Sequence, residues 1–359
     1  MGFEQINELD PLLASIDELQ RQADALKAAQ PDAYARIMEG WAIESTYNSN
    51  NMEGSTLSLG DTALVYDGAQ VDAPVDDIRQ AEGGFAALRF LREGLAAGAP
   101  FSEGLIRRAH ELAYAEASDP AARGAYRAVE VEITGTDFQP APAEYVPERM
   151  ASLVAAIGKS RRHAAVNAAL FHLEFESIHP FVNANGRTGR LMSNFLLMRA
   201  GYEPINIQAE SRARYIAAIR AFQIEDDPYP FVAFFCLNLS DRLRKTIERL
   251  SPAKAPAGDA GASAIGDFLV DAPLARQVDP TSALQVPYKS TPQVERLLGA
   301  LGDGEVSSAQ LMRDLGLSDR ATFYANYLNP ALEAGLVERT IPDKPRSSKQ
   351  KYRKVGKAR

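Results

Sequence analysis

The sequence predicts a mainly α-helical protein with one short β-hairpin and a small separate domain at its end. Three observations predict this. Apolar residues recur at helical spacing over most of the first 250 residues, as in the N-terminal series Leu9, Leu12, Leu13, Ile16 and Leu19. Residues 129–134 alternate apolar and polar side chains, which is typical of a strand. Residues 251–290 are rich in Ala, Pro, Gly, Ser and Asp, a composition that favours a linker ahead of a separate domain.

The predicted elements follow one another with few interruptions. In chain order they are helices over 1–44, a polar turn over 45–56, helices over 57–115 with breaks near 98–100, a hairpin and extended segment over 124–146, and helices over 149–250. The last stretch contains an apolar helix over 164–178 and another helix over 187–200 that ends at Gly201. We therefore divide the chain into an N-terminal helical segment (1–100), a helical core (101–250), the linker (251–290) and a C-terminal domain (291–359).

The composition is that of a globular protein. The chain has 359 residues, of which 46% are hydrophobic and 24% charged, and its net charge of −8 argues against general coating of nucleic acid. The single cysteine, Cys236, excludes an internal disulfide and a multi-cysteine zinc site, and its apolar neighbours predict a buried thiol. The sequence shows no secretory signal and no apolar run near the roughly 20 residues of a membrane span. We expect a cytoplasmic protein of bacterial type that does not contact membranes.

The C-terminal domain resembles a winged helix. Helices are predicted over 294–301, 307–315 and 319–334, and two strands at Val337–Thr340 and Lys351–Arg353 bracket a Pro- and Lys-rich loop. Eight basic residues and one acidic residue lie between 343 and 359. Such a wing could contact DNA phosphates. A solvated basic terminus explains the same charges equally well, and many winged helices bind proteins instead.

The most informative segment begins at His179 and runs His-Pro-Phe-Val-Asn-Ala-Asn-Gly-Arg-Thr-Gly-Arg. Histidine can accept and return a proton near neutral pH. Asn185 and Gly186 can form a turn whose backbone N–H groups face an anion, especially where a helix begins. Arg187 and Arg190 are three residues apart, so they share one side of that helix, and arginine binds phosphate oxygens in a planar fork. The segment therefore predicts a phosphate chain held beside a general base.

This segment resembles the signature of the Fic family, His-Pro-Phe-x-(Asp/Glu)-Gly-Asn-Gly-Arg-x-x-Arg. The chain departs from the signature at two defined positions, with Asn183 in place of the carboxylate and Ala184 in place of glycine. The resemblance implies a Fic-type helical core with a β-hairpin flap. It also implies a protein adenylyltransferase, which transfers AMP from ATP to a Ser, Thr or Tyr hydroxyl of a target protein.

The resemblance assigns a role to each matched position. His179 would deprotonate the target hydroxyl. Phosphate contacts are expected from Asn185, Gly186, Arg187, Gly189 and Arg190, and adenine contacts from Tyr215 and Gln223. In the family the signature carboxylate binds Mg²⁺. Asn183 offers only a neutral amide oxygen, which is a weaker ligand for this ion.

Two further stretches resemble Fic proteins. Residues 49–54, Ser-Asn-Asn-Met-Glu-Gly, resemble the family's inhibitory motif, in which the glutamate pairs with the second signature arginine. Glu53 would then occupy Arg190 and keep the ATP γ-phosphate from it. The stretch Gly124 to Arg127 and the hairpin at 129–138 that follows it resemble the flap, which holds a target segment by strand pairing. Fic proteins of this arrangement often form homodimers.

The remaining histidines have simpler explanations. His172 lies one heptad before His179 and is expected to be packed and hydrogen-bonded, whereas His110 and His163 are expected at the surface. Two alternatives to the leading function stay open. The chain could be a Fic enzyme that uses another phosphate-containing donor or removes AMP. It could also be a nucleotide-sensing, DNA-binding regulator with a degenerate active site.

Overall fold

Most of the described chain is α-helical, as the sequence predicts. The structure is a computed structural model that describes residues 6–133, 136–251, 292–302, 304–317, 323, 327–328, 331–332, 336–340 and 351–355. The chain divides into two compact units, Met1–Asp259 and Ala260–Arg359. The predicted linker lies outside the described residues except for Ser251.

The first unit contains the predicted N-terminal segment and helical core. Its helices are α1 (Asp10–Ala29), α2 (Pro31–Met52), α3 (Leu59–Tyr66), α4 (Val75–Ala96), α5 (Glu103–Ala113), α6 (Val146–Lys159), α7 (Ala164–Ile178), α8 (Asn185–Arg199), α9 (Arg212–Glu225) and α10 (Tyr229–Leu250). Short 3₁₀ turns lie at Ile6–Leu9, Pro120–Ala122, Ala143–Tyr145 and Ala209–Ser211. Within the described residues no helix is both long and apolar enough to cross a membrane.

Helix α7 is the centre of this unit. It is apolar around most of its circumference and packs against α6, α8, α9 and α10. Phe171 and Phe175 on α7, Phe181 in the following loop and Phe195 on α8 are fully buried in one core cluster. Each such ring contributes about 1.5–3 kcal/mol through removal from water. This packing fixes the end of α7 and the start of α8, where the signature segment lies.

The prediction of a polar turn over 45–56 is wrong, because α2 continues through this stretch to Met52. Polar side chains there contact the core: Asn48 accepts a hydrogen bond from the backbone N–H of Ala209. Tertiary contacts thus override the weak helix propensity of these residues. The helix ends at Met52, and Gly54 follows the cap with a φ of 100°, in the region that favours glycine. Glu53 is therefore the C-cap residue of α2.

The predicted strand at 129–134 is not formed in the described part of that segment. Val129 lies in a bend, and residues 130–133 and 136–138 have no ladder pairing. Side chains hold the backbone instead. Arg127 Nη1 donates to the carbonyl of Val129 at 3.0 Å, and Glu130 Oε1 accepts from the N–H of Ala143 at 3.0 Å. Of Gly135 and Thr136, where the hairpin is predicted to turn, Gly135 lies outside the described residues.

The second unit contains helices α11 (Pro292–Leu301) and α12 (Ser308–Asp314) and strands β1 (Val306–Ser307), β2 (Val337–Arg339) and β3 (Lys351–Lys354). The strands form an antiparallel sheet in the order β1-β3-β2, with Tyr352 opposite both Val306 and Arg339. The predicted wing strands pair as expected, and the short β1 joins them. Most of the predicted third helix lies outside the described residues, so the winged helix stays a prediction.

Candidate active site

The turn after α7 is strained at His179. This residue has φ 50° and ψ 61°, in the left-handed region, and its N–H donates to the carbonyl of Phe175 at 2.8 Å. A non-glycine residue pays about 1–2 kcal/mol for this conformation. The surrounding structure must therefore hold the turn in place.

The buried guanidinium of Arg127 holds the turn at His179 in place. Its Nε donates to the His179 carbonyl at 2.8 Å, and Nη2 donates to the carbonyls of Ile178, at 3.3 Å, and Ala141. The backbone N–H of Arg127 donates to the carbonyl of Pro180 at 2.9 Å. Sequence reasoning placed Arg127 only at the start of the flap and missed this contact, because no local pattern marks an arginine that binds carbonyls 50 residues away.

The loop between the two helices is closed by Asn185. Its Oδ1 accepts from the N–H of Phe181 at 2.9 Å, and its Nδ2 donates to the carbonyl of the same residue at 2.8 Å. The side chain is buried. Both ends of the amide hold the loop, and the expected phosphate contact of Asn185 stays a prediction. Ala184 precedes α8 with φ 58°, so the methyl group is accommodated in a left-handed conformation.

His110 is buried, so the prediction of a surface position is wrong. Its Nδ1 accepts from the N–H of Gly124 at 2.9 Å, which leaves Nε2 to donate to the carbonyl of Asn183 at 3.1 Å. The ring stacks on Phe181 at 3.7 Å between centroids. Burial lowers the pKa of His110 to about 4, so the ring is neutral at neutral pH. This histidine fixes the signature loop from α5. His163, by contrast, lies near the surface, where it contacts Asp17 at 3.0 Å.

Arg190 on α8 is bound by the end of α2. Its Nη2 contacts Glu53 Oε1 at 2.6 Å and the Ser49 carbonyl at 3.0 Å, and its Nε donates to the Ser49 hydroxyl at 2.9 Å. The guanidinium is almost fully buried, whereas the Glu53 side chain is 40% exposed. Desolvation favours the neutral acid, but the charges of Arg190, Arg187 and Arg212 and the hydrogen bond from Arg190 outweigh it and lower the pKa of Glu53 below its ordinary value.

Gly186 is the second residue of α8 and lies directly against the Glu53 carboxylate. A Cβ at Gly186 would overlap Glu53 Oε1 and lie 3.0 Å from Nη1 of Arg190. The absence of a side chain therefore lets an anion approach the first turn of α8, where N–H groups and the helix dipole favour negative charge. In this structure that anion is the carboxylate of Glu53.

Arg187 is not available to a phosphate in this structure. Both of its terminal nitrogens contact the carboxylate of Glu116, and Nη1 donates to the Ala113 carbonyl at 2.9 Å. Both side chains of the ion pair are buried, with 5% and 9% of their surface exposed. Sequence reasoning missed Glu116, which follows α5. In this structure Arg187 anchors α8 to the segment that follows α5, and its expected phosphate contact stays a prediction.

The other expected nucleotide contacts also have packing roles. A Cβ at Gly189 would lie 2.9 Å from Glu176 Oε1 and 3.0 Å from the His172 ring, so this glycine permits close approach of α7 and α8. Tyr215 is buried and its hydroxyl lies 2.7 Å from His172 Nε2, and its expected adenine contact stays a prediction. His172 is packed and hydrogen-bonded as expected. Gln223 is half-buried near the end of α9.

The His179 ring lies at the boundary between core and solvent. Its side chain is 18% exposed, and its Nδ1 lies 3.8 Å from Oε2 of Glu176. That nitrogen is buried without a hydrogen-bond partner in the described structure. Desolvation lowers the pKa of His179 to about 4, and the Arg127 charge acts in the same direction. The ring is therefore neutral near pH 7 and able to accept a proton.

Known proteins share this arrangement of segments. The Fic/DOC family profile matches residues 100–197, and the profile "Filamentation induced by cAMP protein Fic-like, C-terminal domain" matches residues 292–354. A crystal structure of a Fic family protein from Desulfovibrio desulfuricans G20 is 30% identical, with a TM-score of 0.54, over 96% of this chain and 97% of that chain. This chain belongs to the Fic family.

Other Fic proteins match about two thirds of this chain. A Fic domain containing signaling protein from Bacteroides thetaiotaomicron is 27% identical with a TM-score of 0.61, over 66% of this chain and 96% of that chain. Protein adenylyltransferase fic-1 of Caenorhabditis briggsae is 30% identical over 62% of this chain and 44% of its own length. Protein adenylyltransferase Fic of Drosophila willistoni is 28% identical over 68% and 47%. The chain thus spans less than half of the length of these two curated relatives. The bacterial origin expected from the sequence stays a prediction.

The Fic signature of this chain does not form a strong magnesium site. Asn183 Oδ1, the expected ligand atom, accepts a hydrogen bond from the Ala184 N–H at 2.6 Å. No cluster of three or more His, Cys, Asp or Glu side chains that could hold a metal occurs among the described residues. One neutral oxygen that is already hydrogen-bonded is a poor ligand set for Mg²⁺, which prefers charged oxygens. The proposed AMP-transfer steps do not depend on a protein-bound metal.

Proposed function

We propose that this chain is a protein adenylyltransferase whose resting state is inhibited by Glu53. The observation that carries the proposal is the contact of Glu53 with Arg190 at 2.6 Å, directly over Gly186. A carboxylate and a phosphate compete for the same guanidinium and the same helix end. The names of the curated relatives, protein adenylyltransferases, support the reaction class.

The chemistry follows from the position of His179. With Nδ1 enclosed, Nε2 is the nitrogen that a target hydroxyl can reach. Nε2 takes the hydroxyl proton, the oxygen attacks the α-phosphorus of ATP, and the bond to the β-phosphate oxygen breaks, releasing pyrophosphate. Arg190, once free of Glu53, binds the γ-phosphate, and the first turn of α8 faces the developing negative charge. Arg127 and His110 hold the loop so that base and phosphate site stay aligned.

The target protein is proposed to dock along residues 129–138. Val129 is 59% exposed, and residues 130–133 and 136–138 have no strand partner in the part that the structure describes. A segment without a strand partner can accept a target segment by strand addition. The modified side chain would then lie next to His179, because Arg127 ties this segment to the His179 carbonyl. A homodimer remains a further proposal.

Asn183 favours one alternative, a Fic enzyme that uses another phosphate-containing donor. The signature carboxylate is missing, and the amide that replaces it is engaged by Ala184. Asn183→Asp in a Glu53→Gly chain distinguishes ATP from another phosphate-containing donor. If ATP is the donor, the restored carboxylate raises AMP transfer. If AMP transfer stays absent in this variant, another donor or AMP removal is favoured.

A DNA-binding regulator has less support. Arg353, one of the basic residues of the predicted wing, contacts Glu338 at 2.6 Å and Glu305 at 3.2 Å. Its charge is therefore partly neutralised within the second unit. Salt-sensitive DNA binding together with nucleotide binding and no turnover would favour the DNA-binding regulator over the enzyme.

The test is label transfer from ATP labelled at either the α- or the γ-phosphate. We expect the Glu53→Gly chain to incorporate the α-label and not the γ-label, and Glu53→Gly/His179→Ala to incorporate neither. Incorporation of the γ-label would show phosphorylation instead. Incorporation that survives loss of His179 would overturn the assignment of the base.

A further inference from the structure

Glu176 is a buried carboxyl group that has no role in the AMP-transfer steps proposed above for His179 and Arg190. It lies on α7, three residues before His179, and its side chain is 10% exposed. Oε2 lies 3.8 Å from His179 Nδ1, and Oε1 lies 3.9 Å from His172 Nε2. In the described structure Nδ1 of His179 has no hydrogen-bond partner, and neither has Oε1, the carboxyl oxygen on the His172 side. Oε2, the other oxygen of the Glu176 carboxyl, therefore faces an unpartnered nitrogen across a short gap.

The packing makes room for this carboxyl. A Cβ at Gly189 would lie 2.9 Å from Glu176 Oε1, so the glycine of the signature admits the carboxyl between α7 and α8. A buried polar group without a partner costs roughly 1–3 kcal/mol. Stability alone gives no reason to keep such a group beside His179. An unsatisfied buried carboxyl next to a general base indicates a functional role.

We propose that Glu176 is a positioning residue for His179, accepting the Nδ1–H of its ring and so directing the Nε2 lone pair at the target hydroxyl. The proposal rests on the proposed function, because it assumes that His179 is the base. In the transfer step the hydroxyl proton moves to Nε2, Nδ1 keeps its own proton, and the Glu176 carboxylate faces the imidazolium cation without taking a proton. A small side-chain rotation shortens the 3.8 Å separation between His179 Nδ1 and Glu176 Oε2 to hydrogen-bond distance.

The charges around Glu176 connect its ionisation to the inhibitory contact. Burial raises the pKa of Glu176 to about 8; Arg190 on α8 lowers it and Glu53 at the end of α2 raises it further. His172 on α7 and Tyr215 on α9 are the other titratable groups that face this carboxyl, and both are neutral near pH 7. His179 itself also faces Arg127 and Glu53. Departure of Glu53 from Arg190 thus favours the ionised form of Glu176, which is the form that can hold Nδ1–H.

The experiment compares Glu176→Gln with Glu174→Gln in the Glu53→Gly chain. Gln keeps the volume of the side chain and removes its charge. Glu174 is a half-buried carboxyl on the same helix, next to Arg149, and serves as the matched control. Two quantities are measured: the ¹⁵N shifts of the His179 ring as a function of pH, which report its tautomer and pKa, and the rate of α-label transfer from pH 6 to pH 9.

We expect the Glu53→Gly chain to hold the Nδ1–H tautomer and to transfer label faster as pH rises and Glu176 ionises. Glu176→Gln should lower the pKa of His179, reduce the rate at neutral pH about tenfold to hundredfold, and remove this rise with pH. Glu174→Gln should leave tautomer, pKa and pH profile unchanged. If Glu176→Gln does not fold, Glu176→Asp keeps the charge, and we expect a lower rate with the rise retained.

Identical His179 titrations and pH profiles in Glu176→Gln and Glu174→Gln would overturn the proposal and leave Glu176 a packing residue. A missing rise with pH in Glu176→Asp would overturn it as well. If no chain transfers label, the proposed function fails, and the ring shifts still decide whether Glu176 sets the His179 tautomer.

Discussion

At the scale of single residues, the candidate site is built from side chains that bind backbone carbonyls. Arg127 fixes the turn at His179, and His110 fixes the loop at Asn183. Neither side chain is expected to touch a substrate. Both must keep one protonation state, since protonated imidazole could no longer accept the N–H of Gly124. The geometry around the base therefore depends on the neutral form of His110, which acid removes.

The first prediction concerns the stability of the folded chain between pH 6.5 and pH 4. The folded pKa of His110 is about 4, below that of free imidazole, because of burial. The unfolded chain therefore binds protons first, and stability is lost as pH falls through this window. We expect the thermal midpoint to fall with pH in the native chain and less steeply in His110→Gln. Equal slopes in thermal scans of the two chains would contradict this account of His110.

At the scale of elements, the end of α2 places the inhibitory carboxylate. Gly54 adopts φ 100°, and the N–H groups of Gly54 and Ser55 donate to the carbonyls of Asn51 and Asn50. This closed helix end fixes the direction of Glu53. Two small pockets flank Ser49 between α2 and α8, lined mainly by polar side chains. The contact between these helices is thus polar and less tightly packed than the aromatic core around α7.

The second prediction follows from that helix end. Alanine at Gly54 meets no atom within 4 Å but must adopt a positive φ, at a cost of about 1–2 kcal/mol. Rearrangement of the helix end relieves this strain and moves Glu53 away from Arg190. We expect Gly54→Ala to raise label transfer severalfold. Gly40→Ala, in the open interior of α2, is the control and should leave transfer unchanged. Equal transfer by the two folded variants would contradict the role of Gly54.

The third prediction concerns the ion pair that joins α8 to the segment after α5. Glu116→Gln leaves the buried guanidinium of Arg187 without its anion, so we expect a loss of about 3 kcal/mol in the free energy of unfolding. Glu111→Gln breaks an exposed pair with Arg108 and should cost less than about 1 kcal/mol. Urea denaturation of both variants measures the difference. Similar losses would mean that burial does not strengthen the Arg187 contact.

At the scale of the whole molecule, the sequence predicts the helices that surround the site better than the contacts within it. The spans of α7 and α8 follow from an apolar run and a polar loop, and the expected contact of Glu53 with Arg190 is present. The polar end of α2 was missed, because its helical conformation depends on partners such as Ala209 that are distant in sequence.

The remaining errors have the same origin. His110, Glu116 and Arg127 act through residues that lie 73, 71 and 52 positions further along the chain. No local spacing reveals such pairs. The backbone contacts of Asn185 and Arg187 escape the sequence analysis for a related reason, since a signature names residue types and not the backbone groups that the fold brings next to them.

Glu53 is proposed to hold an otherwise competent transferase inactive. The initial rate of α-label transfer by the native chain, by Glu53→Gly and by Glu53→Gly/His179→Ala tests this proposal. We expect at least about a tenfold increase on removal of the carboxylate, corresponding to about 1.4 kcal/mol of relieved competition, and loss of transfer when His179 is also removed. Equal rates for the native and Glu53→Gly chains, both shown to be folded, would contradict it.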